Sequence, residues 1–223
     1  MAIKVQPKYL ERDGLRDSVV EMFYNNPIYR VEHIVKTILN GGDMEDFLTI
    51  SEANCIYLKN EVYRVQVRED GISFNNIKDY QRWPNYGKFI QKIIERILTL
   101  PDIRVERQMI RYISMYPSVS IFDQLNGKKL ELNLYPRIDG TEIRFKMGVT
   151  DDNRHFGMAT IRITDNLPSK KRDLKVSVVD IQIDTATDND HQNETMEFLH
   201  TQERNIFFSL LSDEFINSLG AHY

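Results

Sequence analysis

Cationic and aromatic side chains alternate in residues 78–88, where residue type and spacing best suit a binding surface. Lys78, Tyr80, Arg82 and Trp83 fall together there, and Trp83 is the single tryptophan of the chain. Bases stack on aromatic faces at about 1–3 kcal/mol each, and cations track phosphates. The segment therefore predicts a binding surface, with nucleic acid as one ligand and Arg111 as a further candidate cation.

A structural role for the same segment is the favoured interpretation. Tyr86 begins an apolar helical stripe, and a tryptophan beside a proline, here Pro84, more often closes the end of a sheet beneath a helix. The exposure of Trp83 separates the two interpretations. A buried indole makes the segment a structural seam, whereas an exposed one beside Arg82 makes it a place for a partner.

The spacing of residues along the sequence shows no motif for a metal site, a phosphate-binding loop or a catalytic nucleophile. No two of the five histidines are three or four residues apart, and Cys55 has no partner motif. His200 and Glu203 lie one helical turn apart and are interpreted as a surface or capping contact. Residues 188–190 resemble a calcium-loop fragment, but a polar linker is the better interpretation. We expect no cofactor and no metal.

Catalytic motifs are missing as well, since the sequence contains no Gly-rich phosphate loop and no Gly-x-Ser-x-Gly. A catalytic site assembled only in tertiary structure stays open. The sequence therefore leaves enzymatic activity uncertain and favours a non-enzymatic role.

The composition is that of a globular protein, with 41% hydrophobic and 28% charged residues among 223. It predicts one globular unit, 1–223, with a core that needs no disulfide or metal. A single cysteine suits a reducing compartment, and no apolar run is long enough for a membrane span or a secretory signal. These features predict a cytoplasmic protein that does not bind membranes.

Charge is distributed unevenly along the chain. Residues 53–111 hold eleven basic and seven acidic side chains, whereas residues 173–214 hold ten acidic and two basic ones. This asymmetry can steer a partner, although two solvated faces of opposite sign are the favoured interpretation. The net charge of −4 argues against strong non-specific binding of nucleic acid.

Hydrophobic periodicity predicts the elements that must position these residues. Apolar residues at helical spacing predict helices over 30–39, 86–98 and 192–211, and a short helix after Ser212. Strands are predicted at 17–24, 47–50, 55–67, 72–77, 103–116, 129–135, 141–149, 156–164 and 174–184. Asp70-Gly71 predicts a type I′ hairpin turn.

The strand patterns predict an α+β fold. Several strands alternate apolar and polar residues, which is typical of an antiparallel sheet with one buried and one solvated face. We expect one curved antiparallel sheet, or two joined sheets, packed on amphipathic helices. The element order also suggests two halves, 1–101 and 102–223, each running strand, helix, three or four strands, helix.

Three segments resemble landmarks of a sporadically distributed family of uncharacterised bacterial and archaeal proteins. They are VREDGISFNNIKDYQRWPNYGKF, RVERQMIRYISMY and LHTQERNIFFSLLSDEFINSLG. The matching positions are Asp70, Gly71, Phe74, Tyr80, Trp83, Phe89, Arg111, Tyr112, Ile113, His200 and Phe207. The resemblance implies a similar fold and a cytoplasmic setting, and a patchy distribution suits mobile-element or phage-defence genes.

Three hypotheses about function follow. The first is a non-enzymatic binding or regulatory module that acts with a protein partner or as a homo-oligomer. The second is a nucleic-acid-binding protein that uses the basic and aromatic region 59–111. The third is a hydrolase-like enzyme whose site forms only in tertiary structure.

Overall fold

A computed structural model describes residues 17–42, 44–77, 82–126, 142–151, 155–168 and 175–219. The strands are β1 Asp17–Asn25, β2 Leu48–Glu52, β3 Cys55–Lys59, β4 Tyr63–Val67, β5 Gly71–Asn76, β6 Arg104–Pro117, β7 Glu142–Thr150, β8 Phe156–Pro168 and β9 Lys175–Ala186. The helices are α1 Val31–Leu39, α2 Trp83–Ile97, α3 Gln192–Leu210 and α4 Asp213–Ser218, with a 3₁₀ turn at Phe122–Gln124. None of these helices is long and apolar enough to cross a membrane.

All the strands form one antiparallel sheet of nine, in the order β2-β3-β4-β5-β1-β6-β9-β8-β7. The predicted α+β fold with an antiparallel sheet is therefore confirmed. The two sides of the β1–β6 pair follow the same rule, with four strands beyond β1 and three beyond β6. On one side β1 pairs with β5, and β4, β3 and β2 follow outward. On the other side β6 pairs with β9, and β8 and β7 follow outward.

Alternation along the strands gives the sheet two different faces. On one, here called the helix face, Ile110 and Tyr112 of β6 join Ile181 and Ile183 of β9 in the core cluster that also holds the helices. On the other, here called the open face, the intervening positions are largely polar or charged. The main hydrophobic core thus lies between the helix face and the helices, and a smaller buried apolar cluster of Ile113, Met115, Val176 and Val178 lies on the open face.

Helix α2 packs through the predicted apolar stripe. Its residues Tyr86, Ile90, Ile94 and Ile97 have no solvent exposure. The hydroxyl of Tyr86 donates to the carbonyl of Phe74 at 2.8 Å, which ties α2 to β5. The helix begins three residues earlier than predicted, at Trp83, with Pro84 in its first turn, where a missing N–H costs nothing.

The predicted strand 55–67 is instead a hairpin, β3 and β4. Asn60 is responsible, because its side-chain oxygen accepts hydrogen bonds from the backbone N–H groups of Val62 and Tyr63, at 2.9 and 2.7 Å. These side-chain hydrogen bonds stabilise a turn where the sequence pattern predicts a continuous strand. The predicted strand 129–135 lies outside the described residues.

The prediction of a type I′ turn at Asp70-Gly71 is wrong. That turn needs positive φ at both residues, and neither has it. Val67 pairs with Ile72, and the backbone N–H of Arg68 donates to the carbonyl of Gly71 at 2.8 Å, so the turn lies at Glu69 and Asp70, one residue earlier than predicted. Gly71 pairs with Phe23 across the strands, where an added Cβ would lie 2.8 Å from the carbonyl oxygen of Met22. The glycine is needed for close backbone approach.

Candidate functional site: a cleft at the start of helix α3

The structure separates the five residues that the sequence singled out. Lys78 and Tyr80 lie outside the described residues. Arg82 is exposed immediately before α2, and Trp83 is buried, with 8% of its surface exposed. Arg111 lies on the open face of the sheet, on the opposite side from Trp83.

Trp83 joins helix α2 to helix α3. Its Nε1–H donates to the carboxylate of Glu197, 3.0 Å from each oxygen. Its ring stacks on the imidazole of His200 with centroids 4.1 Å apart and planes 14° apart. These contacts make residues 82–89 a junction between helices, which is the structural seam that a buried Trp83 implies.

Arg111 forms a two-point ion pair with Asp180 on β9. Its Nε and a terminal nitrogen lie 2.9 and 2.7 Å from the two carboxylate oxygens. Arg107 on β6 likewise pairs with Asp184 on β9, with 3.5 Å between a guanidinium nitrogen and a carboxylate oxygen. Cations of the basic stretch are therefore matched by anions of the acidic stretch on the neighbouring strand.

The fold also divides the basic stretch between two sides of the molecule. The strand registers place Lys59, Arg64 and Arg111 on the open face, whereas Lys88 and Lys92 are on the exposed side of α2. A continuous basic track is thus not formed by the described part of region 59–111.

A cleft lined mainly by polar groups lies elsewhere, between the residues Asp151 and His155 and the first turns of α3. Its volume is about 870 Å³, within the range of small-molecule sites. We call it the α3 cleft. Its lining residues are Asp151, His155, His191, Asn193, Glu194, Glu197, Phe198, Thr201 and Gln202.

Asp151 holds the imidazole of His155 at the hairpin side of the α3 cleft. The ring Nδ1 lies 2.8 Å from one carboxylate oxygen, and the backbone N–H of His155 donates to the other at 2.9 Å. An ionised carboxylate only accepts, so Nδ1 carries the proton and Nε2 of a neutral ring is left as an acceptor. The ring of Phe198, 5.3 Å away, flanks the imidazole.

A second histidine–carboxylate pair lies at the start of α3. Nδ1 of His191 is 2.8 Å from Asp188, whose same oxygen accepts from the backbone N–H groups of Asp190 and His191. The hydrogen bond and the charge of Asp188 raise the pKa of His191 above 6.5. Hydrogen bonds from His191 lower the pKa of Asp188 below 3.8.

The segment interpreted as a polar linker is thereby an ordered turn. Asn189 donates to the carbonyl of Ile103 and accepts from the backbone N–H of Val105, at 2.9 and 2.7 Å. These bonds tie the start of α3 to the beginning of β6. Residues 188–190 thus position one wall of the α3 cleft.

The described lining of the α3 cleft is acidic. Asp151, Glu194 and Glu197 supply carboxylates, and no lysine or arginine lines the described part. Within the described residues, no group of three or more His, Cys, Asp or Glu side chains could hold a metal ion. The cleft is suited to hydrogen-bond donors and positive charge rather than to phosphates.

Sequence reasoning missed these residues because it considered spacings between histidines and the His200–Glu203 pair, but not the aspartates that precede His155 and His191. The available signal was an aspartate four residues before His155 and another three residues before His191. Local spacing shows the two pairs, but only the tertiary placement of Asp151 and His155 beside α3 brings them to one cleft.

No family model matches the chain, and a search of curated proteins finds no significant match. The functional conclusions therefore come from the geometry of the site.

Proposed function

We propose that this protein is a binding module whose α3 cleft takes a small organic cation. The observation that carries the proposal is the convergence of three carboxylates, Asp151, Glu194 and Glu197, on one cleft beside an aromatic side chain. Carboxylates accept from an ammonium or guanidinium group, and an aromatic ring such as that of Phe198 favours a nearby cation. The role is cytoplasmic, since the free and buried thiol of Cys55 suits a reducing compartment.

Calorimetric titration tests the proposal with putrescine, agmatine and arginine amide, and with glutarate as a dicarboxylate of similar size. We expect at least one of the cations to bind, with an affinity that falls as salt rises, and glutarate to show no binding. The variants Asp151→Asn and Glu194→Gln should weaken the interaction.

Glu95→Gln is the matched control, because Glu95 is an exposed carboxylate on α2 that bonds to Gln91. It should leave affinity unchanged. The proposal fails if none of the cations binds, if glutarate binds equally well, or if Glu95→Gln weakens binding as much as Glu194→Gln.

A hydrolase-like activity is the second candidate, favoured by the Asp151–His155 pair. A carboxylate at Nδ1 orients an imidazole so that Nε2 can take a proton from water or from a hydroxyl such as that of Thr201, which lines the same cleft. A panel of activated esters, amides and phosphoesters tests it. Turnover that is lost in His155→Ala and kept in His33→Ala would support catalysis over simple binding.

Nucleic-acid binding draws less support. Trp83 is buried against α3, and Arg107 and Arg111 are paired with aspartates. Salt-dependent binding of an oligonucleotide that Arg82→Ala weakens would restore this alternative.

A further inference from the structure

Among the described residues, strand β2 forms an exposed edge of the sheet. All five of its residues are exposed, so both of its faces and its outer edge meet solvent. Leu48 and Ile50 are 70% and 46% exposed, and both project on the open face. An unpaired edge offers a row of N–H and C=O groups to another strand.

The sequence of β2 has few of the devices that usually keep sheet edges from pairing, and Glu52 is its one charged residue. It is Leu-Thr-Ile-Ser-Glu, with no lysine and no proline, and its register with β3 is unbroken by a bulge. The opposite edge differs, because β7 places Glu142, Arg144 and Lys146 at alternating positions. The two described edges are therefore not equivalent, and β2 is the one open to pairing.

We propose that β2 pairs antiparallel with β2 of a second copy of this chain, which joins two sheets across a two-fold axis at Ile50. In that register Ile50 faces its own counterpart, Thr49 faces Ser51, and Leu48 faces Glu52 of the second copy. An isologous contact requires a self-complementary patch, and this strand provides one.

Side chains on the neighbouring strand β3 support a second copy of the chain as the partner of β2. Tyr57 lies beside Ile50 and Lys59 beside Leu48 in the β2–β3 register. The two-fold axis then makes a continuous apolar row of two Tyr57 and two Ile50 side chains. It also places Lys59 two strands, roughly 10 Å, from Glu52 of the second copy, which two extended side chains can span. Each dimer gains two such opposite-charge pairs.

Sedimentation equilibrium from micromolar to near-millimolar protein tests the proposal. The interface is short, so we expect a weak dimer whose fraction rises with concentration. Ile50→Lys brings two like charges together at the axis and should raise the dissociation constant by about tenfold or more. Phe156→Lys is the matched control, because Phe156 is another exposed apolar residue, 62% exposed and far from β2 in the strand order.

Charge exchange tests the register. Lys59→Glu and Glu52→Lys should each weaken the dimer, and the double variant should recover it. Oxidation of Ile50→Cys should give a disulfide-linked dimer. Leu48→Cys should not, because position 48 is about 13 Å from its counterpart in this register.

A monomer at every concentration would overturn the proposal. So would a dimer that Ile50→Lys leaves intact, or equal cross-linking at positions 48 and 50. Ile50 is exposed in the monomer, so Ile50→Lys should keep the circular dichroism spectrum of the parent protein, and loss of the dimer then reports the interface.

Discussion

Single side chains explain how the fold closes around its helices. Trp83 belongs to the hydrophobic core and also donates to Glu197, so it adds both apolar burial and a directed contact between α2 and α3. Gly71 acts in the opposite way, through the absence of a side chain where two strands approach closely. Each of these two roles can be tested by comparing two substitutions.

Replacing Trp83 separates packing from hydrogen bonding. Trp83→Ala removes the buried ring and should lower the free energy of unfolding by about 3–5 kcal/mol. Trp83→Phe keeps an aromatic ring against His200 but loses the bond to Glu197, so it should cost less. Urea denaturation followed by circular dichroism measures both, and equal losses would contradict the role of the ring.

Replacing Gly71 tests the close approach of β5 to β1. Gly71→Ala sets a methyl group against the backbone of Met22, which cannot rotate away, and should cost about 1–3 kcal/mol. Gly148→Ala is the control, because its nearest neighbour is the ring of the exposed Phe156, which can move. Urea midpoints compare the two, and a neutral Gly71→Ala would rule out the steric requirement.

At the scale of elements, the turn before α3 carries a pH dependence. His191 has a raised pKa, so its contribution to stability is fully present below pH 6.5 and is lost as pH rises through the raised folded value. Asp188 has a lowered pKa, so its contribution is present above pH 3.8 and is lost as pH falls through the lowered folded value. The turn should be most stable between these limits.

An NMR titration of the His191 ring checks this coupling. Asp188→Asn removes the charge and weakens the hydrogen bond, so the pKa of His191 should fall toward its ordinary value. Asp213→Asn, at the start of α4, removes a more distant carboxylate and should leave it unchanged. An unaltered pKa in Asp188→Asn would show that the pair does not form.

Elements with a strong period could be predicted from the sequence, and elements set by individual side chains could not. The stripe from Tyr86 to Ile97 reflects burial on one face of a helix, which sequence displays directly. The strands in 103–116 and 174–184 alternate only in part, because each also buries apolar residues on the open face. The β3–β4 turn depends on one Asn60 oxygen, and the β4–β5 turn lies at Glu69 and Asp70 rather than at the Asp-Gly pair. Neither effect has a periodic signature.

The candidate site was less accessible to sequence reasoning for a related reason. Residues 78–83 are rich in binding chemistry, yet Trp83 is used in packing. His155 and Glu194 are 39 positions apart and line one cleft only because the fold places His155 near α3. A site of this kind depends on tertiary placement, although each Asp–His pair leaves a local trace.

At the scale of the molecule, the central β1–β6 pair joins two halves that share one hydrophobic core. That core includes Ile90 and Ile94 of α2 together with Leu199 and Phe207 of α3, so neither half buries its apolar surface alone. We expect a single cooperative unfolding transition. Tryptophan fluorescence and far-ultraviolet circular dichroism should give the same urea midpoint, whereas separate midpoints would mean that the halves unfold independently.

The bond between Trp83 and Glu197 has an optical consequence. Glu197 lines the α3 cleft and also accepts the indole N–H of the only tryptophan in the chain. A cation that draws this carboxylate toward itself alters the polarity and hydrogen bonding around the indole. We therefore expect the proposed binding of a cation to change the intrinsic emission of Trp83, so that it can be followed without a label.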